Sequence, residues 1–200
     1  MTHEEIKEKY KDCKLCDKCM NTVKVFGTGN LSAKIAVVGE GPGREEVAKL
    51  TPFVGQAGQL LDKILMAINL KREDLFFTNA VLCRTDDRNR TPTKSEYRNC
   101  RQRLFEELSI VNPKYTILTG STALKSIMGD DYKIMESHGN WFTLLSAPCF
   151  FYFSIFHPAW ILHSINEGEE KAKKKIMWED VKKLSAEIKI LEERDMNEAK

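Results

Sequence analysis

The chain has 200 residues, of which 42% are hydrophobic and 30% charged, and 31 Lys and Arg against 29 Asp and Glu leave a formal net charge of +2. That is enough apolar sequence for one globular domain spanning 1–200. No run approaches the roughly 18 apolar residues of a membrane span, and the N-terminal segment is charged and Cys-rich without a signal-peptide core, so a cytoplasmic protein with no membrane contact is expected. The near balance of charge excludes a global basic field, and any nucleic-acid surface has to be a local patch.

In chain order, residues 3–12 predict a helix, followed by Cys13, Cys16 and Cys19 in a CxxCxxC clasp and by a short strand or extended piece over Val23 to Phe26. Ile35 to Val38 is a short, β-branched apolar run that predicts a buried strand, and Gly39-Glu40-Gly41-Pro42-Gly43 follows at once. Three glycines allow close backbone approach while Pro42 stiffens the loop, which suits a ligand site as well as an ordinary tight turn. The turn is neither a phosphate loop nor a dinucleotide fingerprint, since no Gly-Lys-Ser/Thr and no GxGxxG occur. A second glycine pair, Gly55 and Gly58, follows Phe53, an aromatic that reads as exposed. Two glycine turns therefore flank one aromatic.

Gln59 to Ile68 carries the i, i+3/i+4 apolar pattern of a core-packed helix. Leu75 to Leu82 reads as a buried strand in which Asn79 is the one amide and needs a partner. A polar loop over 83–94 leads to Ser95, expected to cap a helix to Val111. Tyr115 to Thr119 is the next strand, with a short helix after Gly120, and Trp141 to Leu145 and Phe150 to Phe156 are two more strands. A helix over about 169–194, with Met177, Val181, Leu184, Ile188 and Leu191 on one face, closes the chain, and its Lys171–Lys175 stretch reads as a solvated face. The βα alternation predicts an α/β fold: a single-domain three-layer α/β/α arrangement with a central, largely parallel four-stranded sheet.

Six cysteines in an intracellular chain point to metal or redox chemistry before disulfides. Cys13 and Cys16 can share one metal or cluster, and Cys83 and Cys100, each beside Arg or Asn at the edge of polar sequence, are the natural further ligands. Zinc and a four-iron cluster share this ligand set, and spacing does not choose between them. His157 stands before a proline at the end of an apolar strand, the edge where α/β sheets place their sites, and it serves equally as a site residue or as a satisfied polar group.

Taken together, GEGPG, PFVGQAGQLL, TNAVLCR with NRTP, and HPAWIL resemble the family 4, iron–sulfur uracil-DNA glycosylases, in matching order from residue 13 to about 185. The resemblance implies a 4Fe-4S cluster on Cys13, Cys16, Cys83 and Cys100, with no family role for Cys19 or Cys149. It implies that Glu40 and Gly41 line the sugar and the attacking water, that Phe53 stacks on an extruded uracil, and that Asn79 reads its Watson–Crick edge. Glu46 would stand beside the base and His157 would be the catalytic histidine. The expected partner is uracil-containing DNA, single- or double-stranded, and the expected state a monomer. The chain departs from the family at Val47, Lys49 and Leu50, at Thr85-Asp86, and at His163, where the family tends to have Arg. The alternatives are a non-catalytic iron–sulfur or zinc DNA-binding module, with Phe53 and Asn79 in its core, or a relative that binds uracil-DNA with weak turnover.

Overall fold

A computed structural model describes residues 1–16, 23–86 and 88–198, so Cys19 lies outside the described residues. In chain order the elements are α1 (His3–Tyr10), β1 (Thr28–Gly29), β2 (Ile35–Gly39), α2 (Arg44–Lys49), α3 (Gln56–Met66), β3 (Leu75–Asn79), α4 (Lys94–Val111), β4 (Tyr115–Thr119), α5 (Gly120–Met128), α6 (Ile134–Ser137), β5 (Trp141–Leu144), β6 (Ala147–Ile155), α7 (Ala159–Leu162) and α8 (Glu167–Glu198). The α/β expectation holds, but the sheet has six strands and not four, in the order β1-β3-β2-β4-β6-β5. The four inner strands are parallel to one another, while β1 and β5 pair antiparallel at the two edges. β1 is two residues long, too short to leave a periodic trace in the sequence.

Burial on both faces explains why the inner strands read as unbroken apolar runs. Every residue of β2, β3 and β4 is buried. Ile35, Val37, Leu75, Phe77, Ile117 and Phe153 face Leu61 and Leu65 of α3 and Met177, Val181, Leu184 and Ile188 of α8. Ala36, Val38, Phe76 and Leu118 face Leu104 and Leu108 of α4 and Ala123, Leu124 and Ile127 of α5. The helices therefore form one layer on each side. No helix among the described residues is long and apolar enough to cross a membrane.

Several boundaries differ from expectation for local reasons. The third strand stops at Asn79 and not at Leu82, because beyond that point the chain pairs with the loop after β2. The segment at Val23 to Phe26 forms no named strand; Lys24 bridges Cys83 and the Val25 N–H bonds Leu82 O at 2.9 Å. Between the two glycine turns, Arg44–Lys49 forms a short helix. Lys173 is buried and not solvated, bonding Trp160 O and Glu169, each at 2.8 Å.

Thr93, not Ser95, caps α4, because Glu96 returns its bond: Thr93 Oγ1 accepts the Glu96 N–H at 3.3 Å and the Glu96 carboxylate accepts the Thr93 N–H at 2.7 Å. Arg90 donates to both Glu96 oxygens, at 2.7 and 2.8 Å. The Arg90 bonds above all, with the cap, hold the Glu96 carboxyl at about 2 against its usual 4.5. A carboxyl depressed by folding stabilises above its unfolded value, so this contribution is complete above pH 4.5 and is lost as pH falls towards 2. Glu96→Gln is expected to remove on the order of 2 kcal/mol at neutral pH and to flatten the acid limb of the Tm profile in that window. An acid limb unchanged by the substitution would contradict this assignment.

Candidate active site

All four parallel strands end at one edge of the sheet. The chain leaves β2 for one neighbour, β3, and returns to the other side of β2 at β4, so the crevice between β2 and β4 is a topological switch point, where α/β sheets bind ligands. The GEGPG loop opens there. Past the strand ends it stays zipped to the segment after β3: Ala80 N–H bonds Gly39 O at 2.8 Å and Val81 N–H bonds Glu40 O at 3.1 Å. A slot of about 360 Å³ lies over this edge, and Gly41, Glu46, Phe53, Asn79, His157 and His163 line it.

Gly39 brings two of these side chains together. A Cβ on it would stand 2.3 Å from Asn79 Oδ1 and 2.6 Å from Phe53 Cζ, so only a bare Cα lets the carboxamide and the ring meet over the strand end. Phe53, read from sequence as exposed, is buried at 6% exposure; it leans on Phe77, centroids 5.6 Å apart, while its ring still reaches the slot. Its backbone has φ 56°, the left-handed region that a phenylalanine rarely occupies. Asn79 is 4% exposed, and its Oδ1 stands beside the Phe53 ring over Gly39, at the wall of the slot. A buried amide needs a hydrogen-bonding partner, which a ligand in the slot can supply.

Behind Asn79 the edge strand β1 is too short to satisfy the next carbonyls. Arg103 of α4 stands in for it, donating Nη2–H to Asn79 O at 2.7 Å and to Ala80 O at 3.1 Å. Its Nη1 bonds Thr78 Oγ1 at 3.0 Å and Glu107 at 2.9 Å, and Glu107 also accepts from the Gly27 N–H at 3.1 Å. Arg103 and Glu107 are fully buried, so a charged pair fixes the backbone of the amide residue from within.

His157 reaches the slot because Gly120, at φ 87°, lets β6 run close: a Cβ there would lie 2.9 Å from His157 Cβ. The His157 Nδ1 accepts the Ala159 N–H at 3.2 Å, which leaves the ring proton on Nε2. Burial pushes the imidazole down to about 4, against a smaller upward pull from Glu46, so it is neutral at neutral pH and presents an N–H. The HPAW turn carrying it is pinned by Lys173 on Trp160 O and by Trp160 stacked on Phe156 at 4.0 Å.

Glu46 lines the slot, but its Oε1 accepts the N–H groups of Val54 at 3.0 Å and Gly55 at 2.7 Å, closing the start of α3, where Gly55 has no side chain to cap with. Glu40 turns away from the slot: its carboxylate accepts from Thr122 Oγ1 at 2.6 Å, and burial raises its pKa. The structure thus brings Gly41, Glu46, Phe53, Asn79 and His157 to one slot and sets Glu40 against α5. Sequence reasoning missed Gly120 and Arg103, because no local pattern marks a residue that acts on a distant segment of the backbone.

Around Cys100 of α4, Cys16 and Cys83 are buried like Cys100 itself, and Cys13 is half-buried. Burial raises the Cys100 thiol, against a smaller lowering by Arg103 and the Leu82 backbone, and the nearby Cys83 and Cys16 add to the rise. Cys13 packs in one cluster with Leu82 and Cys83, and Asn99 Nδ2 bonds Leu15 O at 2.6 Å and lies 3.7 Å from Cys16 Sγ. Among the described residues no three His, Cys, Asp or Glu side chains are set to hold a single metal ion. An all-thiol, largely buried donor set drawn from three segments fits an iron–sulfur group.

Fold and site together define an α/β protein with a small-ligand slot at the carboxyl edge of a parallel sheet. Residues 26–182 match the family model described as the uracil DNA glycosylase superfamily, and the chain belongs to that superfamily. It is 37% identical over 188 residues to a type-4 uracil-DNA glycosylase of Thermotoga maritima, covering 93% of this chain and 94% of that protein. A type-4 uracil-DNA glycosylase of Sulfurisphaera tokodaii is 34% identical, over 90% of this chain and 82% of its own length. One from Archaeoglobus fulgidus is 39% identical over 62% of each chain.

Proposed function

We propose that the protein excises uracil from DNA, hydrolysing its N-glycosidic bond and leaving an abasic site. The convergence of Phe53 and Asn79 over Gly39 carries this proposal, because an enzyme acting on a base inside DNA must extrude it into a pocket with a π-face and an edge reader. Phe53 supplies the face. The Asn79 carboxamide accepts from uracil N3–H and donates to O4, whereas cytosine presents the opposite pattern and would leave the buried amide unpaired.

As the bond from C1′ to N1 breaks, its electron pair goes to uracil and the sugar gains oxocarbenium character. His157 Nε2–H donates to the uracil O2, a preorganised donor aimed where negative charge develops. Water then adds at C1′ on the side lined by Gly41, and its proton passes by way of solvent to the departed uracil anion, leaving neutral uracil and the abasic sugar. Glu40, held by Thr122, fixes the loop that carries Gly41. Glu46 stands beside the base while holding the Phe53 loop through the Val54 and Gly55 N–H groups.

Cys13, Cys16, Cys83 and Cys100 hold a 4Fe-4S cluster. What such a group supplies when bound is iron–thiolate bonds, and through them the N-terminal segment is tied to α4 and the chain after β3. Acting on single- or double-stranded DNA, the protein works as a single-domain monomer in the cytoplasm.

The test is cleavage of a labelled oligonucleotide with one uracil, with and without alkali, beside thymine and cytosine controls. Alkali-dependent scission at uracil alone is the expected result. No scission by protein with a full iron content and visible cluster absorbance would overturn the proposal in favour of a binding module.

A further inference from the structure

We propose that Arg72 is the positioning residue for Phe53: it fixes the strained Pro52–Phe53 turn so that the ring is set as a stacking face before uracil arrives. This rests on Phe53 being the surface on which the base lies. Pro52 and Phe53 form a turn whose second residue has φ 56°, a conformation that glycine adopts freely and phenylalanine does not. Something outside the turn must hold it there.

Arg72, in the short helical turn that precedes β3, does so through the backbone. Its Nη2 donates to Pro52 O at 2.7 Å and its Nη1 to Phe53 O at 3.0 Å. The same Nη1 bonds both oxygens of Asp62 on α3, at 2.9 and 3.1 Å, which locks the guanidinium in place. Its flat face lies 4.3 Å from the centre of the Phe77 ring, the ring against which Phe53 leans. One planar group therefore fixes two successive carbonyls of the turn and backs the aromatic stack. Glu46 holds the next two peptides by their N–H groups, so the loop is gripped on both kinds of backbone group.

Glu46 also lines the slot, whereas neither Arg72 nor Asp62 does, so any effect of Arg72 on the base passes through Phe53. A lysine cannot replace it. An ammonium is a point charge that cannot meet two carbonyls and a carboxylate in one plane while lying flat on a ring.

The experiment uses cluster-loaded protein with Arg72→Gln, Arg72→Lys and, as reference, Phe53→Leu. For each it measures inhibition by free uracil, which reads the base slot, and affinity for duplex containing an abasic site, which reads the DNA surface. Base stacking is worth enough that all three variants are expected to weaken inhibition by uracil about tenfold or more. Affinity for abasic DNA should stay within about twofold of the parent, a selectivity that general loosening of the fold would not produce.

If Phe53→Leu leaves uracil inhibition unchanged, the assignment of Phe53 as stacking face fails. If Phe53→Leu weakens uracil and both Arg72 variants do not, the positioning role fails on its own. Equal losses for uracil and abasic DNA in the Arg72 variants also overturn it, as does full rescue by lysine. Should the Arg72 variants not fold, Asp62→Asn, which frees the guanidinium but keeps both arms, is expected to give the same selective loss to a smaller degree, and no loss would overturn the proposal.

Discussion

His157→Ala is expected to slow uracil release by about 10²- to 10³-fold in single-turnover assays, with affinity for abasic DNA little changed. The imidazole is a donor prepared in advance: Ala159 N–H occupies Nδ1, so the proton is on Nε2, and burial holds the pKa near 4. A neutral donor needs no ionisation in the working range, so the cleavage rate should show no His157 titration between about pH 6 and 9. The rate should fall only as pH approaches 4, when a proton on Nδ1 displaces the Ala159 N–H.

The same shift bears on stability. The unfolded histidine takes up a proton near 6.5 and the folded one only near 4, so its contribution is complete above 6.5 and is lost as pH falls between the two. Nitrogen-15 NMR of the ring should report the Nε2–H tautomer at pH 7. A rate that titrates with a midpoint near 6.5, and loses that titration in His157→Asn, would instead make the protonated ring a general acid.

Arg103→Met is expected to cost about 3–5 kcal/mol of stability, seen as a lower urea midpoint at unchanged slope. The loss is large because Glu107, with no exposed surface, would be left as an unpaired buried charge, and the Asn79 and Ala80 carbonyls would lose their donor. Arg103→Met with Glu107→Gln should recover much of it, since the second change removes the stranded charge while the amide oxygen can still accept from Gly27 N–H and the amide NH2 can donate to Thr78 Oγ1. A double substitution no better than the sum of the two singles would show that the pair is not coupled. Surviving Arg103→Met protein should also discriminate uracil from cytosine less sharply, because the backbone of the reading amide is no longer held.

These two residues mark the division between what was legible in the chain and what was not. His157 stands at a strand end before a proline, Asn79 is the single amide of an apolar run, and the glycines of GEGPG punctuate the turn after β2; each carries a local signal. Arg103 and Arg72 carry none, because what they bind is the backbone of segments far away in sequence. Phe53 misled for a related reason. Its neighbours Thr51, Pro52 and Gly55 describe a surface loop, and only the packing of Phe77 and α3 against that loop buries the ring.

The sequence by itself determined the α/β class, the buried inner strands and the motifs that place the chain in its superfamily, because apolar runs and glycine turns are local properties of the chain. Tertiary structure alone decided the two antiparallel edge strands, the neutral Nε2–H form of His157, the turning of Glu40 to Thr122, and the grip of Arg72 and Arg103 on the backbone around the slot. Each of these depends on which distant segment supplies a missing donor, acceptor or low-dielectric wall, and that is fixed only when the sheet has closed and the helices have packed against it.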